Sequence, residues 1–168
     1  MINLIDEIKK VQDNYDLYLK EGKVCFGGIY NNEPSFFEKN DEKNYVKSTW
    51  VLSSGAIIVH IIDNKHLYEL EFYNKKYINN IFYSNRVEGI NHHSLNASLV
   101  DKNKTPYYKL TYRNMLCSVD ITDERTNIES VCNLIRQTYL AYASGETLFN
   151  FLLNNSIKLG IVSDNNEK

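Results

Sequence analysis

HLYELEFYNKKYINNIFYSNRVEGINHHSLNASLV, residues 66–100, decides how the rest of the chain is read. Aromatic and branched residues recur with a period of two, and Asn74-Lys75-Lys76 interrupts them like a turn. A strand sends successive side chains to opposite faces, so this pattern predicts strands and not helix. The same rhythm extends in both directions. Upstream lie YVKSTWVL (45–52), the turn Ser53-Ser54-Gly55, AIIVHII (56–62) and the turn Asp63-Asn64-Lys65. Downstream come PYYKLTY (106–112) and MLCSVDI (115–121), with Asp101–Lys104 and Arg113-Asn114 as breaks. Turn residues at intervals of about ten predict an antiparallel meander of six to eight strands. AIIVHII is apolar on both faces and belongs at the centre of the sheet.

At the ends of the chain the period becomes helical. Leu4, Ile8, Val11, Tyr15 and Tyr18 or Leu19 form one stripe over residues 1–21, with Asp6, Glu7, Lys9, Lys10 and Asp13 on the other side. Gly22 stands where a helix C-terminal glycine is expected. VCFGGIY (24–30) reads as a short strand, and the polar segment 31–44 as a loop. Thr126–Glu129 has the spacing of a capping box, followed by the stripe Ile128, Val131, Cys132, Ile135, Tyr139 and Tyr142. A last helix is expected over about 146–158, then a frayed tail, 159–168. The expected fold is α+β in a single domain: a helix (1–21), an antiparallel sheet (24–121), strongly curved or barrel-like, and two helices (126–158).

The composition narrows function. A net charge of −2 gives no electrostatic reason to expect nucleic acid or an anionic membrane surface. Cys25, Cys117 and Cys132 lack metal or redox spacing and read as reduced thiols; with an acidic residue pair at 6–7 in place of a leader, a cytoplasmic protein is expected. Asn, Lys, Ile and Tyr number 22, 15, 16 and 13, two-fifths of the chain, as from an AT-rich genome. Three Asn-X-Ser/Thr sites are the number such an Asn content yields by chance. Nucleotide-loop, dinucleotide and Ser-hydrolase motifs do not occur.

Candidate site residues are few. His92 and His93 are adjacent, and in a strand would face opposite ways. His60 and His66 flank a turn; a three-residue loop would pair His60 with Tyr68 and put both histidines on one face, too far apart for one ion. Asp120, Asp123 and Glu124 cluster before the third helix, where they suit either its dipole or a cation. Cys25 precedes Phe26-Gly27-Gly28, a superficial match to a nucleophile beside oxyanion-hole amides, but small buried cysteine is the simpler reading. Lys75, Lys76, Lys102 and Lys104 lie in turns.

The tyrosines Tyr68, Tyr73, Tyr83, Tyr107 and Tyr112 fit a partner-binding face or a ligand pocket in a curved sheet. A non-catalytic binding protein follows as the leading expectation, contacting another protein as an inhibitor, immunity, anti-defence or secretion-accessory factor. The alternative is a small-molecule binder with a tyrosine-lined pocket. A third reading is a small hydrolase or nuclease using His92 or His93 with the three acids. No metal or cofactor is expected, and an exposed sheet edge admits a homodimer.

Overall fold

The computed structural model describes residues 2–26, 32–85, 93–100, 106–113, 118–122 and 127–143. The chain divides into two compact units, Met1–Arg86 and Val87–Lys168. Among the described residues the fold is α+β, with three α-helices and nine strands in place of the six to eight expected.

In the first unit, α1 (Leu4–Asp13) and α2 (Tyr15–Glu21) take the place of one continuous helix. Asn3 caps α1 by accepting from the Asp6 N–H, and the break falls at Asn14, whose side chain bonds back to the Lys10 carbonyl. Leu4, Ile8 and Val11 are buried as the stripe predicts, but Glu7, expected on the polar side, is buried with them. Gly22 ends α2 in extended conformation, φ −72°, so left-handed backbone is not the reason for glycine there. A Cβ would lie 2.5 Å from Val51 Cγ2 and 2.6 Å from the Tyr18 carbonyl oxygen. Close approach of helix end and sheet is what demands glycine.

The sheet of this unit contains β1 (Val24–Cys25), β2 (Phe36–Asn40), β3 (Tyr45–Leu52), β4 (Ile57–Asp63), β5 (His66–Phe72) and β6 (Ile78–Asn85). β3 to β6 form the expected antiparallel meander, with β4 between β3 and β5. Two features depart from expectation. The segment read as a loop contains β2, antiparallel to β3, and a 3-10 turn at Asp41–Lys43; and β1 lies parallel to the end of β3. Both use the same edge of β3, and within the unit the strand order is open, not a barrel. Asn79 is the extra residue of a bulge, where Glu71 pairs with Asn80 and Phe72 with Ile78.

Hairpin chemistry sets the register. Asn64 takes φ +57°, which asparagine tolerates, and a two-residue turn pairs Asp63 with His66. His60 therefore faces Glu69, not Tyr68, and His60 and His66 fall on opposite faces of the sheet. That corrects the expected shared face. One face, bearing Ile57, Val59, Ile61, Tyr68, Leu70 and Phe72, is closed to solvent. The same face carries Lys47, which meets Glu7 of α1, so this is the helix-covered side. On the other face Trp50 and Ile58 pack with Cys25, while His60, Ile62, Leu67 and Glu69 are half-buried.

In the second unit, β7 (His93–Val100), β8 (Tyr107–Arg113) and β9 (Ser118–Thr122) are consecutive antiparallel strands. α3 (Ile128–Ala143) contacts β8 and buries Val131, Leu134 and Ile135. Its cap is Asn127, whose Oδ1 accepts from the Ser130 N–H, one residue after the expected start of the capping box. The expected helix at 146–158 lies outside the described residues.

Candidate functional site: a charged cleft under helix α1

A cleft of about 850 Å3 opens between α1 and the β2–β3 hairpin. It exists because the buried stripe of α1 holds the helix to the sheet while the β2–β3 hairpin extends beside it with polar side chains. By register Glu38, Tyr45, Lys47 and Asp63 all lie on the helix-covered face, and all four line the cleft. The volume suits a small molecule.

Lys47 is the innermost cation, with its side chain 6% exposed. Its ammonium donates to Glu7 Oε1 at 2.9 Å and approaches Glu38 Oε2 at 3.7 Å. Lys10, one turn along the helix, donates to Glu7 Oε2 at 3.2 Å. Burial disfavours both charges of the central pair. Together, the hydrogen bonds and attraction of Lys47 and Lys10 still hold the Glu7 carboxyl below its ordinary value. Likewise burial weakens the Lys47 ammonium, but Glu7 and then Glu38 more than restore it, and its pKa is raised. Burial, followed by the charge and hydrogen bonding of Glu7, pushes the Tyr45 hydroxyl well above the usual tyrosine range. All three groups keep their neutral-pH protonation states, which suits fixed charge better than proton transfer.

Asp63 is different. It is 8% exposed and lines the cleft, yet among the described residues no hydrogen-bond donor reaches its carboxylate. Its strand partner His66 gives no compensating cation: burial lowers the His66 pKa, outweighing the pull of Asp63, and Nδ1 is engaged by the Tyr83 hydroxyl at 2.8 Å. A buried carboxylate without a donor is costly, so the position calls for a partner.

The residues singled out from sequence lie elsewhere. Tyr68, Tyr83 and Tyr112 are at most 1% exposed and form core. Tyr73 and Tyr107 are half-buried, in different units. His60 bonds to Glu69 and packs edge-on against Trp50. His92, Asp123 and Glu124 lie outside the described residues; so do the side chains of His93, at the start of β7, and Asp120, in β9 opposite Thr111. Cys25 is buried, and burial pushes the Cys132 thiol up to about 12, with Glu129 adding to the effect.

Sequence reasoning passed over the cleft residues because each half looks ordinary. Glu7 sits among helix-surface charges and Lys47 in an alternating strand, 40 positions away. The available signal was the stripe itself, in which position 7 falls between 4, 8 and 11.

Among the described residues no group of three or more His, Cys, Asp or Glu could hold a metal ion, and no helix is long and apolar enough to cross a membrane. Comparison with protein families, curated proteins and solved structures finds no match to this chain.

Proposed function

We propose that this chain is a non-catalytic binding protein that takes a small polar ligand in the cleft beneath α1. The observation that carries the reading is Asp63, a nearly buried carboxylate on the cleft wall that no donor reaches among the described residues. The locked charges of Glu7 and Lys47 support it, since they offer a prearranged polar wall without a group poised to exchange protons. The ligand site thus moves from the expected tyrosine pocket to the charged side of the helix. Native mass spectrometry of the protein purified gently from its own cells tests this. An additional mass of a few hundred daltons at stoichiometric occupancy is the expected result; the bare chain under all gentle conditions counts against it.

A second reading, contact with another protein, is favoured by the edge formed by β1 and β2. Phe37 on β2 is 59% exposed and Phe26, just past β1, is 74% exposed. Among the described residues β2 pairs only with β3 and offers its outer edge for strand addition. The inhibitor, immunity, anti-defence and secretion-accessory roles belong to this reading. Replacing Phe37 by Ser would abolish capture of such a partner while leaving a cleft ligand bound.

A further inference from the structure

We propose that the cleft selects a small zwitterion, an amino acid or short peptide with free termini, with its ammonium on Asp63 and its carboxylate on the lysines of the cleft. This deepens the cleft reading and rests on it. The cleft wall presents unequal needs. Glu7 already has two ammonium partners, Lys47 at 2.9 Å and Lys10 at 3.2 Å, so it asks nothing of a ligand. Asp63 has none among the described residues, and within a nearly buried site a cationic donor satisfies a carboxylate better than a neutral one.

The opposite need is met by Lys39, near the end of β2, and Lys43, in the 3-10 turn that follows, both of which line the same cleft. Among the described residues Lys39 pairs only with Asp41, at 3.3 Å, with both side chains more than half exposed. Such a pair contributes little and yields to a better anion. Lys43 makes no ion pair among the described residues. A ligand carrying only negative charge would leave Asp63 unmatched, and one carrying only positive charge would meet the lysines. A molecule with both ends charged answers both.

Triglycine, its N-acetyl form and its C-terminal amide separate the two ends, with binding read from backbone amide shifts in an NMR titration. Free triglycine should shift residues 39–47 and 63, and each capped form should bind at least tenfold more weakly. In Asp63→Asn, acetylation should no longer matter while amidation still does. In Lys39→Ala/Lys43→Ala, both exposed positions, the pattern should invert. Equal binding of the acetylated and free peptides overturns the zwitterion. So does the absence of shifts with all three probes. A native-state ligand without an amine would also overturn it, yet leave the cleft reading standing; the bare chain would remove both.

Discussion

Two acid–base pairs stand on opposite faces of the same sheet. Lys47–Glu7 joins a strand to a helix 40 residues away, with both side chains under a tenth exposed. His60–Glu69 spans one rung of the β4–β5 hairpin, with side chains 12% and 29% exposed. The first pair is surrounded by other charges, Lys10, Glu38 and the Tyr45 hydroxyl; the second leans on Trp50. The difference shows what a buried charge does in each place. Under the helix it fixes where α1 lies and shapes a cleft, whereas in the hairpin it adds to a register that the turn already sets.

The sharpest way to break this contrast is Lys47→Met. Removing one member of a buried pair leaves the other uncompensated, and the expected loss is about 3–5 kcal/mol in a urea melt. Lys10 remains beside Glu7, so the lower end of that range is expected. Glu7→Leu combined with Lys47→Met should recover most of the loss, because an apolar pair of similar size does not strand a charge. Recovery would separate the cost of stranding from the contribution of the pair.

The same pair has a pH signature. Glu7 is depressed in the folded state, so its contribution is complete above its ordinary value of 4.5 and is lost as pH falls through the depressed one. Lys47 is raised, so its share is complete below 10.5 and is lost as pH climbs through the raised value. In Lys47→Met the acid-dependent loss of stability should become smaller, since without Lys47 the folded-state value of Glu7 moves back up toward its ordinary one. An acid limb identical to that of the parent would detach Glu7 from acid stability.

The next effect tests how tightly the helices are seated. Gly22→Ala places a methyl group against Val51 and the Tyr18 carbonyl, one of which is backbone and cannot swing aside. About 1–3 kcal/mol of destabilisation is expected from thermal melts, with displaced shifts at Val51. A neutral result would mean that the α2–β3 junction relaxes freely, leaving the apolar stripe and the Glu7–Lys47 contact to position α1.

Much of this architecture was legible locally. The meander from Tyr45 to Asn85, the central place of β4 and the apolar stripe of α1 all follow from periodicity, because each is written in neighbouring residues. β2 was missed because Phe36 and Phe37 are followed by Glu38, Lys39 and Asn40, a composition that suits an edge strand and a loop equally. The β4–β5 register was misread by one residue because Asn64 permits a tighter turn than three residues, and that single step moved His60 away from His66. The cleft was illegible for a different reason. Its floor is a pair 40 residues apart, and its wall is an aspartate that any turn would favour.

The smallest expected effect is also the most informative about the hairpin. Glu69→Gln keeps a side chain that can hydrogen-bond to the His60 imidazole but removes the charge. The rung is already fixed by flanking ladder pairs from Ile57–Phe72 to Asp63–His66, so the strands do not depend on it for alignment. Directly opposed pairs of this kind contribute about 0.2–1 kcal/mol, and the loss should fall in that interval in a urea melt. A loss approaching that of Lys47→Met would mean that the Trp50 side of the sheet also relies on charge. The two faces would then differ in their neighbours rather than in their use of electrostatics. A loss near zero keeps the contrast intact: the hairpin is held by backbone register and packing, while under the helix a buried ion pair adds to the apolar stripe that seats it.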